Sequence, residues 1–282
     1  EMRTQPEIDR KLLTGINALT ISGLSLCAIT FDNEEFKSSS LKCINSLLSL
    51  NYRDGVLFTQ PDDASNEVEG FLDDYAHTIN AIMYTLELNW NTNYLMIAIQ
   101  LASRMIDQFH DSQDGGFYFS SAAHYGLFHR GKNFFDDATP SGNSVAAKAL
   151  LRLGFLTGRL DFIDIAERIL KTANASMKSR LDSTTSLNTL VMEYLQPIDV
   201  IILRGSRKDL ELWQTQTRKL LKRRTICYAI PWDESDLPES LSTKTFEGTI
   251  VAYICNGFSC SKPINNFKNY QEYLTDLSPS AQ

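Results

Sequence analysis

The chain has 282 residues, of which 43% are hydrophobic and 22% charged, a composition typical of one large folded domain or two small ones. Asp and Glu outnumber Lys and Arg by 34 to 27, and the net charge of −7 argues against a nucleic-acid partner, which requires clustered cations. No apolar stretch approaches the roughly 20 residues that span a bilayer, and no secretory signal is visible. We therefore expect an intracellular, cytoplasmic protein without a membrane partner.

Amphipathic helices are predicted up to about Arg180, because apolar residues recur there at i, i+3, i+4 and i+7. The helices come in pairs, with short links around Asp32, Trp90 and Gly158, and short links produce antiparallel hairpins. The six apolar stretches run from Ile16 to Cys27, Phe36 to Leu48, Leu72 to Leu86, Tyr94 to Phe109, Val145 to Leu153 and Phe162 to Leu170.

The connections between the pairs are long, and two of them carry an Asp-Gly turn, at Asp54-Gly55 and Asp114-Gly115. This recurrence indicates an internal repeat. Helix pairs repeated around a ring form an α/α toroid, whose inner helices should be apolar nearly all round. Three pairs alone do not close a six-pair ring, and an open α-solenoid and a plain helical bundle remain alternatives.

The pattern changes after Ser186, where one more helix, from Leu187 to Leu195, is followed by β-rich segments. We predict strands at Asp199–Gly205, Arg224–Ile230 and Thr249–Ile254, with a helix from Asp209 to Lys222. No G-x-G-x-x-G turn follows the first strand, so we expect no dinucleotide cofactor. The predicted fold is mainly α: hairpin repeats of a partial toroid at 1–196, and a small α/β extension at 197–282 packed on them.

Polar residues cluster where the inner helices are expected to begin. Asp73 and Asp74 open the third helix, and Asp136 and Asp137 precede Ser141, which opens the fifth. Alternate helices of a toroid point the same way, so their starts should gather at one mouth of the ring. The predicted substrate-binding residues are Asn17, Asp73, Tyr75, His77, Arg130, Lys132, Asp136, Ser141 and Asn143.

Paired carboxylates in a cavity are what glycoside hydrolysis requires, and we predict Asp74 and Asp137 as the catalytic pair. An enzyme would hold them about 5–9.5 Å apart across a solvent-filled mouth. Helix capping is the alternative, because Asp, Ser and Asn side chains accept the unpaired N–H groups of a first helical turn. A scaffold would leave each carboxylate bonded to its own helix start.

The remaining polar candidates have two interpretations each. We expect Arg130 and Lys132 either to bind an anionic group or to brace the loop around Asp137. His77, one turn beyond Asp74, is a candidate base. No H-E-x-x-H or comparable spacing occurs, so we predict no metal and no cofactor. The candidates for a sugar-stacking wall, or alternatively for plain core, are Tyr75, Phe117, Tyr118, Tyr125 and Phe134.

The five cysteines form no recognisable disulfide framework, which favours a reducing compartment. Cys27 and Cys43 lie on apolar helical faces and are expected to be small core residues. Cys255 and Cys260 have a C-x4-C spacing that differs from the C-x-x-C redox motif. We expect a structural role for this pair, with redox sensitivity as the alternative.

Four motifs together resemble one family, the spermatogenesis-associated protein 20 family and its bacterial thioredoxin-domain relatives. The resemblance runs from about Lys11 to Leu274 and corresponds to the C-terminal half of those proteins. The motifs are Phe71-Leu72-Asp73-Asp74-Tyr75-Ala76, Asp114-Gly115-Gly116-Phe117-Tyr118, Pro140-Ser141-Gly142-Asn143-Ser144-Val145-Ala146 and the stretch from Ala252 to Pro263.

The resemblance implies a thioredoxin-like domain, absent from this chain, and a toroid similar to six-hairpin glycosidases and to N-acylglucosamine 2-epimerases. It implies a carbohydrate-binding or carbohydrate-active domain, glycoside hydrolase-like or epimerase-like if it is an enzyme. The alternative is a non-catalytic scaffold or regulatory protein, in spermatogenesis or in redox regulation. Half a toroid exposes apolar helix faces, which the missing N-terminal half or self-association would cover.

Overall fold

The computed structural model describes residues 11–61, 68–124, 127–220, 225–245 and 248–277. Its helical part consists of successive antiparallel hairpins, so the paired helices predicted from the sequence are confirmed. The helices are α1 (Thr14–Phe31), α2 (Glu34–Asn51), α3 (Leu72–Leu88), α4 (Thr92–Phe109), α5 (Gly142–Thr157), α6 (Leu160–Ser179) and, after a 3-10 turn at Leu181–Ser183, α7 (Thr185–Leu195).

The inner layer consists of α1, α3, α5 and α7, which pack side by side, while α2, α4 and α6 cover them from outside. Every residue of α3 except Asp73 is buried, as expected for an inner helix. By contrast, α1 buries only one strip of mostly small residues, and the strip includes Gly15, Ala18 and Ser22. Small residues allow the backbones of α1 and α3 to approach closely. The arrangement is a partial α/α toroid.

Helix α1 is more apolar than expected from the sequence. It has 18 residues with a mean hydropathy of 1.4, which suffices by length and composition to cross a membrane. Core helices of soluble proteins share this composition, and 39% of α1 is buried inside the protein. Among the described residues, α1 is the single helix with this property.

Local sequence signals explain how the hairpins turn. Asp32 ends α1 in a left-handed conformation with φ of +50°, and Asn33 then caps α2 by accepting N–H bonds from Glu35 and Phe36 at 2.9 and 3.0 Å. Gly158, with φ of +75°, ends α5 in the same way. These caps stop one helix and start the next within a few residues, so the two helices must run antiparallel.

Both predicted Asp-Gly turns are present in the long connections. Asp54 and Gly55 have φ of +49° and +82° and join β1 (Tyr52–Arg53) to β2 (Val56–Leu57). The second turn, at Gly115 and Gly116, folds Phe117 back into a bridge with His110. Each turn therefore folds its connection back against the C-terminal end of the preceding outer helix, α2 or α4.

The extension is a four-stranded mixed sheet in the order β4-β3-β5-β6, with β3 (Asp199–Gly205) parallel to β4 (Ile226–Pro231) and antiparallel to β5 (Ile250–Asn256). β6 (Ser259–Cys260) completes it. One face carries α8 (Arg207–Leu220) and α10 (Phe267–Leu277), and the other packs on the helical layer. A short helix, α9 (Glu239–Ser242), lies between β4 and β5. The predicted end of α8, Lys222, and the predicted start of β4, Arg224, lie outside the described residues.

Two expectations about cysteine need correction. Cys43 is exposed rather than buried, and it lines a cavity between α1 and α2. The sequence also indicated no disulfide framework, but Cys255 and Cys260 face each other across the β5–β6 pair and form a disulfide. The structural role expected for this pair is consistent with that position.

Two glycine substitutions test the packing of the hairpins. A Cβ on Gly154 of α5 would lie 2.6 Å from Ile163 Cγ1 and 3.0 Å from the Arg159 carbonyl oxygen, whereas a Cβ on the exposed Gly23 of α1 would meet nothing within 4 Å. We expect Gly154→Ala to lower the free energy of unfolding by about 1–3 kcal/mol. Gly23→Ala should raise it by roughly 0.5–1 kcal/mol through helix propensity. Urea unfolding measures both, and a shift of the two variants in the same direction would contradict the packing described.

Candidate functional site

Asp74 joins the starts of two inner helices. Its carboxylate accepts hydrogen bonds from the Gly15 N–H at 2.8 Å, the Thr59 hydroxyl at 2.8 Å and the Phe71 N–H at 2.9 Å. Burial raises the pKa of Asp74, and the bonds from Phe71, Thr59 and Gly15 partly offset this effect. With both oxygens engaged, this carboxylate acts as a bridge between α1 and α3.

Asp73 lies between the starts of α3 and α5. Its Oδ1 is so close to Gly142 that a Cβ there would approach it to 2.0 Å, so glycine leaves room for this carboxylate. Burial, together with the neighbouring charge of Asp74, raises the pKa of Asp73 to about 6. The two adjacent carboxylates therefore have different environments, one fully hydrogen-bonded and one partly exposed.

The second acidic pair is divided in the same way. Asp136 accepts the Ser141 N–H at 2.9 Å and the Ser186 N–H at 2.8 Å, and thereby caps the starts of both α5 and α7. Asp137 is exposed in the loop before α5. Ser141 itself is the N-cap of α5 and accepts the Ser144 N–H at 3.3 Å. The starts of the inner helices thus gather at one end, linked by Asp74 and Asp136 acting as caps.

Three of the other predicted site residues brace the long loop between α4 and α5. Asn143 is buried, accepts the Phe117 N–H at 2.7 Å and donates to the carbonyls of Phe117 and Asn133. Lys132 binds the Asp111 carboxylate at 2.7 Å. Arg130 donates to the Ser120 carbonyl, and its guanidinium lies 4.3 Å from the centre of the Tyr118 ring.

The aromatic candidates also have structural positions. The Tyr75 ring is buried, and its hydroxyl bonds to the Leu57 N–H and to Arg104 at 3.2 and 3.1 Å. Phe117 is fully buried in the core. Tyr125 lies outside the described residues. Asn17 is exposed, donates to the Leu13 carbonyl, and lines a cavity of about 200 Å³ between α1 and α2, away from the other candidates.

A larger cavity of about 350 Å³, which we call the axial groove, runs along the inner faces of α1, α3, α5 and α7. Its apolar walls include Leu19, Leu26, Val145 and Leu190. Of the eleven predicted site residues, all of which are described, His77 alone lines it. The polar side chains of the groove are Ser22, His77, Asn80, Tyr84, Ser144, Lys148, Ser186, Thr189 and Glu193.

Two of these side chains place buried polar atoms that lack a hydrogen-bond partner in the described structure. They are Nδ1 of His77, a residue only 3% exposed, and Oδ1 of Asn80, a residue 8% exposed. Burial lowers the pKa of His77 to about 4, so its imidazole is neutral at physiological pH. Buried polar atoms are normally paired, and an orphaned atom that lines a cavity indicates a ligand or ordered water.

An ionic cluster borders the groove beside these residues. Arg152 binds Glu193 through two hydrogen bonds of 2.5 and 2.8 Å, and both Arg152 and Lys148 donate to the Tyr84 hydroxyl, at 3.3 and 3.4 Å. Burial lowers the pKa of Arg152, but the bonds and charge of Glu193, with smaller contributions from Tyr84 and Glu87, outweigh it and raise that pKa. The cluster fixes α3, α5 and α7 along the groove.

The groove residues other than His77 were missed in the sequence, although a signal existed. His77, Asn80 and Tyr84 are spaced i, i+3 and i+7 on α3, and Ser186, Thr189 and Glu193 have the same spacing on α7. Such spacing places polar side chains on one helical face. A polar stripe on a helix otherwise buried all round is the pattern to search for. Within the described ranges, no group of three or more His, Cys, Asp or Glu side chains is placed to hold a metal.

The raised pKa of Asp73 makes stability depend on pH. Folded Asp73 titrates near pH 6 and unfolded Asp near about 3.9, so between these values the folded state binds more protons and stability falls as pH rises. Asp73→Asn removes this loss. We expect it to raise the free energy of unfolding by about 1–2 kcal/mol at roughly pH 8 and to change it little at roughly pH 4.

Urea unfolding at the two pH values makes this measurement. Asp137→Asn, which alters an exposed carboxylate of the other acidic pair, is the matched control and should change little at either pH. An equal effect of Asp73→Asn at both pH values would contradict the raised pKa of this half-buried carboxyl.

Comparisons with known proteins agree with the resemblance noted in the sequence. No family model matches the chain. Human spermatogenesis-associated protein 20 is 25% identical over 283 residues, which cover 94% of this chain and 36% of that protein. The rat protein of the same name is 26% identical with the same coverage, so the chain spans 36% of the length of these curated relatives.

Among solved structures, a GH76 α-mannanase of Bacteroides thetaiotaomicron is similar with a TM-score of 0.49 and 17% identity, covering 61% of this chain and 48% of the mannanase. The matches to the human and rat proteins confirm the resemblance to the spermatogenesis-associated protein 20 family over 94% of the chain, at an identity that leaves its activity to be proposed from the site.

Proposed function

We propose that this chain is a carbohydrate-binding domain whose ligand occupies the axial groove. The observation that carries the proposal is that His77 and Asn80, which line the groove, each carry a buried polar atom without a partner, Nδ1 and Oδ1 respectively. Leaving such an atom unpaired costs about 1–3 kcal/mol, which a ligand hydroxyl group offsets. The proposal does not require hydrolysis.

The chemistry of the lining supports a sugar. Hydroxyl, amide and neutral imidazole groups match the hydroxyl groups of a sugar, and the leucine and valine side chains between them match its C–H faces. A volume of about 350 Å³ falls within the range of about 300–1,000 Å³ typical of small-molecule sites. A few polar groups in an otherwise apolar concave surface are characteristic of such sites.

The acidic residues favour binding without catalysis. The carboxylate oxygens of Asp74 and Asp136 accept hydrogen bonds from the backbone at helix starts, and Asp137 is exposed in its loop. The same observation supports the second candidate function, a scaffold or regulatory domain without a sugar ligand. The two candidates differ in whether the groove takes up a sugar.

The variant Asn80→Leu separates them. Leucine has nearly the same shape but no amide group, so it should abolish any sugar-dependent rise in melting temperature that requires the Asn80 oxygen. Without ligand, the variant should be as stable as the native chain or more stable, because an unpaired buried acceptor is removed. The measurement is thermal unfolding with and without a panel of mono- and oligosaccharides, since a ligand that binds only the folded state stabilises it.

Asn45→Leu is the matched control, because Asn45 is exposed on the outer helix α2 and lies outside the axial groove. It should retain the response of the native chain. If no sugar of the panel stabilises the folded native chain, or if Asn80→Leu responds like Asn45→Leu, the proposal is wrong and the scaffold function is favoured.

A further inference from the structure

The charged groups of the axial groove are arranged in a balanced set. Lys148 and Glu193 line the groove, and Glu193 is held by the two hydrogen bonds from Arg152. Lys148 and Arg152 share the hydroxyl oxygen of Tyr84. The groove therefore borders on a compact cluster rather than on isolated charges.

A second carboxylate completes the balance. Glu87, on the same helix as Tyr84, is buried and close enough to Arg152 to favour its charged form. Two cations, Lys148 and Arg152, thus stand against two anions, Glu193 and Glu87. The imidazole of His77 contributes no charge, because it is buried and neutral.

This balance has a consequence for ligands. A charged ligand must leave its water on entering the groove, and burying a charge is unfavourable unless a counter-ion receives it. Arg152 and Glu193 already compensate each other, and withdrawing one of them for a ligand would leave the other buried and unpaired. Lys148 donates to the Tyr84 hydroxyl beside this pair. Neutral hydroxyl groups, by contrast, suit the unpaired atoms of His77 and Asn80.

We infer that the axial groove selects uncharged sugars over both uronic acids and amino sugars. The inference rests on the proposed function and adds the class of ligand. It predicts that rejection of charge works in both directions, since neither an anionic nor a cationic sugar meets a counter-ion without breaking an existing pair.

The experiment measures dissociation constants by calorimetry at about pH 7 for three compounds that differ in charge. They are a neutral hexose, its uronic acid and its 2-amino-2-deoxy form, and each charged sugar differs from the neutral one at a single substituent as well as in charge. The native chain should bind the neutral sugar most tightly. Lys148→Met leaves one anion uncompensated, so the affinity of the amino sugar relative to the neutral sugar should rise about tenfold, and that of the uronic acid should fall.

Lys178→Met, on an exposed position of the outer helix α6, is the matched control and should leave both ratios unchanged. Circular dichroism establishes that each variant is folded. Equal affinity of the native chain for neutral and charged sugars overturns the selectivity and leaves the proposed function intact, as does a Lys148→Met variant with unaltered ratios. Binding of none of the three, by a folded native chain, overturns the proposed function itself.

Discussion

The carboxylate of Asp74 holds the inner helices in register. One of its oxygens accepts the Gly15 N–H at the start of α1, and the other accepts the Phe71 N–H at the start of α3 and the Thr59 hydroxyl of the intervening connection. Hydrogen bonds to a buried charged group are among the stronger ones in proteins. Because α1 and α3 begin at the same level, their side chains meet in matching layers, and Asp136 extends the same principle to α5 and α7.

The axial groove follows from this alignment. Four helices that run the same way from a common level present their inner faces to one space, and a polar stripe on each face then lines a shared cavity. His77 and Asn80 lie on the most deeply buried helix, where water is scarce and an unpaired oxygen or nitrogen is costly. The side chains of the ionic cluster around Arg152 bond to one another. The two neutral side chains, His77 and Asn80, are therefore the groups left to bond to a ligand.

Much of the fold could be predicted from the sequence, because periodicity and turn chemistry are local. The paired helices follow from apolar spacing, and Asp54-Gly55 and Gly158 occupy turns that favour positive φ. The contacts that a polar side chain makes are not determined by its local sequence. Asn143 and His77 are both almost fully buried, yet Asn143 bonds to Phe117 of the neighbouring loop and His77 lines the groove. Only the packing of neighbouring helices decides between these outcomes.

The proposed function requires that a sugar hydroxyl group bonds to the unpaired nitrogen of His77. The most direct test is nuclear magnetic resonance of protein labelled with nitrogen-15 in its histidines, titrated with an uncharged hexose. The account predicts a saturable shift of the His77 Nδ1 resonance, while the resonances of His110 and His124, which lie outside the groove, remain in place. A His77 resonance that stays unchanged throughout the titration would contradict it.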